Sequence, residues 1–181
     1  GHSHVLASTI PNCRSYDPTY AYELAVIIEE GMRRMLEEQE DVFYYLTVMN
    51  ENYAHPAMPD GARDGVLRGM YLLREAPASD RPRVQLLGSG TILREAIAAA
   101  DLLAADFGVD SDIWSVTSFT ELRRDGMEAE RWSRLHPTQK PRRAYVEECL
   151  DGRTGPVVAA TDYMRQFADG IRGYIPSSDR Y

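Results

Sequence analysis

The chain has 181 residues, room for one large domain or two small ones, and its 44% hydrophobic and 27% charged content is that of an ordinary soluble globular protein. A net charge of -8 speaks against a nucleic-acid partner, since phosphate binding is driven by Lys and Arg. No apolar run reaches the roughly 20 residues that span a bilayer, and no signal peptide opens the chain, so it reads as cytoplasmic and independent of the membrane.

Residues 1–17 are polar and irregular and carry His2 and His4. If this segment is extended, the two side chains diverge, and one can face an active site as hydrogen-bond donor or general acid. A flexible terminus has the same composition. Asp17 then has the residue type of a helix N-cap, with Pro18 at the first helical position. Tyr20, Leu24, Ile27, Ile28, Met32, Met35 and Leu36 recur at helical spacing. Ala21, Ala25 and Val26 widen that stripe, so the helix is expected to pack on more than one side.

Residues 42–49 form an apolar run with the character of a buried strand, and it leads straight into Asn50-Glu51-Asn52-Tyr53 and Ala54-His55-Pro56. Ligands of open α/β sheets bind outside the carboxyl ends of the strands, which makes Asn50, Glu51, Asn52 and His55 candidates for a substrate cleft. Pro56 and Pro59 keep the loop extended. A rigid structural turn is built from the same residue types.

Asp60-Gly61 and Asp64-Gly65 mark turns around a short helix, and residues 70–73 read as an edge strand. Residues 76–82 are polar and hold two prolines, which predicts a linker between a first unit, 1–75, and a second, 83–181. The second unit alternates strands at 83–87, 113–117 and 156–161 with helices at 91–107, 119–135 and 163–171. This rhythm predicts an α/β fold, a parallel sheet with flanking helices and right-handed crossovers. Too few strands follow to close a domain, so both ends read as cuts through a longer polypeptide.

Gly88-Ser89-Gly90 has the outline of a dinucleotide loop, but Leu93 stands where the third small residue belongs, and the second strand ends in Thr117-Ser118 where an acid is needed. A tight strand-to-helix turn is the better reading. Asp162 suits the N-cap of the last helix, and His136 the C-terminal end of the helix before it. Cys13 and Cys149 are far apart with no further ligand at metal spacing, which predicts two free thiols and no metal site.

Longer stretches carry more information than these motifs. Gly1-His2-Ser3-His4, Ile10-Pro11-Asn12-Cys13, Ser15-Tyr16-Asp17-Pro18, Asn50-Glu51-Asn52-Tyr53, Leu86-Leu87-Gly88-Ser89-Gly90, the run from Ser115 to Leu122 and Thr161-Asp162-Tyr163-Met164 resemble the homodimeric bacterial pyruvate dehydrogenase decarboxylating components, a transketolase-like family. The resemblance implies the end of a pyrimidine-binding domain followed by most of a transketolase C-terminal domain. It implies a thiamine diphosphate and Mg²⁺ enzyme that decarboxylates pyruvate and passes the acetyl unit to the lipoyl domain of dihydrolipoyl acetyltransferase, working with a second identical subunit. The family's metal–diphosphate motif and its activating glutamate are absent from this chain, so the cofactor is expected to be held by residues outside it and the segment alone to be inactive. By its match to the family's Gly-x-[Ser/Thr]-His segment, His4 is the implied catalytic side chain, with His2 beside it as a further cleft candidate. A non-catalytic α/β module for subunit assembly or ligand sensing is the alternative.

Overall fold

The computed structural model describes residues 1–181, the side chain of Ser178 apart. The opening segment is more ordered than its composition suggests. It forms a short helix α1 (Ser3–Ala7) and a strand β1 (Cys13–Tyr16). Next come helix α2 (Ala21–Met32), which runs on through a π-helical turn at Arg33–Glu37, and strand β2 (Phe43–Leu46). Strands β1 and β2 pair in parallel, from Cys13 opposite Phe43 to Tyr16 opposite Leu46. Within this chain they make a two-stranded sheet, so β2 is half-exposed, with Phe43 44% accessible, where a buried strand was expected.

A second sheet lies in the order β3-β5-β4-β6, formed by β3 (Tyr71–Arg74), β4 (Arg83–Gly88), β5 (Asp110–Ser115) and β6 (Val157–Ala160). The β4 strand pairs in parallel with β5 and β6, whereas β3 runs antiparallel along β5 as an edge. Residues 76–82 therefore run between two strands of one sheet. Composition could not show this, because a polar, proline-bearing segment suits a long turn as well as a linker.

Helices α3 (Ala62–Arg68), α4 (Ile92–Phe107), α5 (Phe119–Leu135), α6 (Tyr145–Leu150) and α7 (Arg165–Asp169) complete the fold. Leu93, Ala96 and Ala100 press α4 onto one sheet face beside Val84, Leu86 and Ile113. Phe119, Leu122, Val146, Leu150, Phe167 and Ile171 cover the other face over Leu87 and Trp114. Each of these large apolar side chains contributes roughly 1.5–3 kcal/mol by leaving water. A third cluster, Tyr16, Val26, Ile27, Ala62, Val66 and Tyr71, cements the small sheet to the larger one.

Two expected caps are corrected. The α2 helix begins at Ala21 with Tyr20 as its N-cap, so Asp17 is not its cap and Pro18 is not its first residue. Asp17 is drawn instead into contacts beyond the strand ends. The α7 helix starts after Met164, which leaves Asp162 outside the cap position. His136 does end α5, its Nδ1 lying 2.8 Å from the Trp132 carbonyl. No helix of the described residues is long and apolar enough to cross a membrane.

Candidate active site

The carboxyl ends of the strands from both sheets converge on one polar network, buried at Asp17 and Ser89 and half-buried at Thr47 and Thr161. Asp17 follows β1, Thr47 follows β2, Ser89 follows β4 and Thr161 follows β6. The Thr47 hydroxyl donates to Asp17 Oδ1 at 2.7 Å and the Ser89 hydroxyl donates to Asp17 Oδ2 at 2.9 Å. Ser89 Oγ also lies 3.1 Å from Thr161 Oγ1. The Asp17 backbone is held too: its N–H donates to the Thr117 carbonyl at 2.8 Å and its carbonyl accepts from Gly90 N–H at 3.0 Å. Asp17 is 6% exposed, and burial pushes its carboxyl above the ordinary carboxylate range, against the pull of its two hydroxyl donors.

The Gly88-Ser89-Gly90 turn thus serves this network. Gly90 sits at φ 53, and a Cβ there would lie 2.5 Å from Asp17 Oδ2, so both backbone conformation and space require glycine.

His4 joins the network from α1. It is 0% exposed, with Nε2 2.9 Å from Thr47 Oγ1. Its ring stacks on Phe167 at 4.8 Å between centroids, with Tyr163 and Tyr45 edge-on at 4.6 and 5.3 Å. Burial pushes its pKa from 6.5 down to about 4, so it is neutral near pH 7 and acts there as a hydrogen-bonding group. Its Nδ1 is buried without a hydrogen-bond partner. His2, one residue before the helix, is exposed. The segment is helical and not extended, and the two histidines differ because His4 is buried inside α1's turn while His2 stays exposed before it.

The loop after β2 is separate from this network. Asn50, Glu51, Asn52 and His55 are all exposed. Glu51 accepts from Arg94 at 3.1 Å, and the Arg94 guanidinium lies 4.6 Å over the Tyr53 ring. The Tyr53 hydroxyl donates to the Thr19 carbonyl, and His55 Nδ1 accepts from the Ala21 N–H at 3.1 Å. These contacts pin the loop to the starts of α2 and α4. Asp17, Thr47, Ser89 and Thr161 were not singled out as site residues. The signal that would have found them is positional: each is the first residue past a strand's carboxyl end.

The donor set does not fit a metal–diphosphate group. Mg²⁺ needs several converging oxygen ligands, and among the described residues no three His, Cys, Asp or Glu side chains gather to hold an ion. Both cysteines are free thiols.

Parallel strands of two sheets that meet end to end over a buried histidine place this chain in a known class. It belongs to the transketolase-like family: the family model for the transketolase-like C-terminal domain matches residues 69–181. The model for the pyruvate dehydrogenase E1 component middle domain matches residues 1–56. Among individual proteins, the chain is 66% identical over 99% of its length to the pyruvate dehydrogenase E1 component of Pseudomonas aeruginosa. It is 54% identical over 99% of its length to the one of Escherichia coli K12. It spans 20% of the length of each of these relatives. Solved structures share the fold. A Pichia stipitis transketolase variant in complex with fructose-6-phosphate has a TM-score of 0.56 and 15% identity, over 92% of this chain and 20% of that one. A split-gene transketolase, described as an inactive beta4 tetramer, has a TM-score of 0.53 and 16% identity, over 97% of this chain and 49% of that one.

Proposed function

We propose that the protein containing this segment is a pyruvate dehydrogenase of the acetyl-transferring type, which decarboxylates pyruvate and passes the acetyl unit to a lipoyl group of dihydrolipoyl acetyltransferase. The observation that carries this reading is the 66% identity to an E1 component across 99% of the chain. Thiamine diphosphate with Mg²⁺ supplies the electron sink for loss of CO₂ in this chemistry. Since this chain's residues do not fit the metal–diphosphate site, the cofactor is assigned to other parts of the longer protein, and no step is drawn through it here.

The role of this segment is to position His4. A neutral imidazole with one nitrogen tied to Thr47 and the other unpartnered is a preorganised hydrogen-bonding group, and such groups act best where water is excluded. Its low pKa favours hydrogen bonding to the substrate over delivery of a proton from a standing cation. Asn50, Glu51, Asn52 and His55 are assigned to the approach of the same cleft, a role supported by their exposed loop after the carboxyl end of β2, and His2 is assigned there as the exposed neighbour of α1. Exposed Ile28, Met32 and Leu36 on the outer side of α2 support packing against a second identical subunit in a cytoplasmic homodimer.

The test is turnover of the full-length protein with pyruvate, thiamine diphosphate, Mg²⁺ and an artificial electron acceptor. His4→Ala should lower turnover by roughly 10²–10⁴-fold and His2→Ala by much less. Absence of cofactor-dependent decarboxylation in the unmodified protein would overturn the reading, and equal, small effects of the two substitutions would remove His4 from the chemistry.

A further inference from the structure

We infer that Asp17, acting through the Thr47 hydroxyl, holds His4 in the tautomer with its proton on Nε2, leaving the Nδ1 lone pair as an acceptor for the hydroxyl that forms from the substrate's ketone carbonyl as it reacts. The argument is a count of protons. Thr47 Oγ1 has one proton to place among Asp17 Oδ1 at 2.7 Å, His4 Nε2 at 2.9 Å and the Tyr16 carbonyl at 3.3 Å, with the Tyr163 hydroxyl, itself a donor, also near. A carboxylate and a carbonyl only accept. If the Thr47 proton pointed to His4, its oxygen would face Asp17 Oδ1 at 2.7 Å with no proton between them. The proton therefore goes to Asp17, and Thr47 accepts from His4 Nε2–H.

Asp17 cannot turn away to relieve this arrangement. Its second oxygen takes the Ser89 hydroxyl, its main chain is bonded to Thr117 and Gly90, and the Gly90 α-carbon closes the space beside it. The imidazole is equally fixed, by Phe167 on its face and Tyr163 and Tyr45 at its edges. Strand ends from both sheets thus decide which nitrogen of a helix residue is the acceptor. Asp17 and Thr47 are positioning residues: they set the polarity of His4 without touching substrate.

The substrate half of this inference rests on the reading of His4 proposed above, whereas the tautomer does not. The experiment separates them. Full-length protein labelled with ¹⁵N-histidine is sedimented, and its magic-angle-spinning spectrum is recorded near pH 7; the His4 signals are those lost in His4→Gln. Expected are a protonated Nε2 and an unprotonated Nδ1. Thr47→Ser, which keeps the hydroxyl, should retain this pattern and most of kcat. Thr47→Val should add Nδ1–H signal and lower kcat by roughly 10–100-fold, part of what acid–base groups supply, with little change in KM. A protonated Nδ1 in the unmodified protein, or a tautomer unmoved in Thr47→Val, would overturn the inference. The expected tautomer in a protein that does not decarboxylate pyruvate would uphold the Asp17 effect and refute the functional reading.

Discussion

Removing the Glu23 carboxylate tests whether hydrogen bonding, rather than apolar contact alone, welds the two sheets together. Glu23 is fully buried near the start of α2. Its Oε2 accepts from the backbone N–H groups of Thr19 at 2.6 Å and Tyr20 at 3.0 Å. Its Oε1 accepts from the hydroxyls of Tyr71 and Ser115, each at 2.6 Å, which belong to β3 and β5 of the larger sheet. Glu23→Ala strands these donors. The helix-start amides lose about 1 kcal/mol of capping, and a buried orphaned donor costs about 1–3 kcal/mol. The Tyr71 hydroxyl keeps a neighbour in the Tyr22 hydroxyl at 2.6 Å, so the total is held to about 4 kcal/mol. Glu23→Gln differs in kind. Its carbonyl oxygen can take the two amides, and both hydroxyls can rotate to accept from its NH₂, so only charge assistance is lost, about 1–2 kcal/mol. Hydrogen exchange of the 20–32 and 110–118 peptides in the full-length protein reads this junction directly. Local opening should rise by roughly 10³-fold for Ala and about tenfold for Gln. Equal effects of the two substitutions, or less than about a tenfold change for Ala, would refute the reasoning.

Protonation of His4 gives a pH prediction. Its folded pKa of about 4 lies below the unfolded 6.5, so the folded state binds fewer protons in between. The His4 contribution is complete above pH 6.5 and is lost as pH falls towards 4, at most about 3 kcal/mol, and exchange in the 1–17 peptide of His4→Gln should lack this acid step. Gly155 sits at φ +82, and a Cβ there would lie 1.6 Å from the Arg83 carbonyl oxygen, so Gly155→Ala should destabilise the pairing of β4 and β6 by roughly 2–4 kcal/mol, read as faster exchange there and not along α2. The isolated segment should show no pyruvate turnover, and calorimetry should detect no submicromolar binding of thiamine diphosphate, since converging metal ligands are absent among its described residues. Sedimentation of the full-length protein should give a dimer; a monomer at working concentration would contradict the role given to the outer face of α2.

Periodicity made most of the fold legible. The α4 and α5 helices fall within a residue of the spans read from the sequence, because an apolar stripe at helical spacing has few other uses. Strand β5 starts earlier than its apolar residues do, since Asp110 and Asp112 are buried by partnering and not by hydrophobicity. Asp112 accepts from the Ala76 N–H and from the Arg83 and Gln85 side chains. The same physics hid the site. Asp17 has the residue type and neighbours of a helix cap, and only the strand ends around it, up to 72 positions away at Ser89, reveal its true partners. His4 was identified by resemblance; no local pattern foretells that a polar opening segment folds a histidine under two tyrosines and a phenylalanine.

Strand β3 has a consequence for anyone who would divide this molecule. The chain lays Tyr71–Arg74 along β5 before it enters β4, so the larger sheet borrows its edge from residues on the far side of the proline-bearing segment. A backbone break within 76–82 severs no sheet hydrogen bond, yet each product needs the other. One ends in an unpaired strand, and the other displays the bare edge of β5. Such halves are built to find one another, and co-expressed they should reunite by strand complementation.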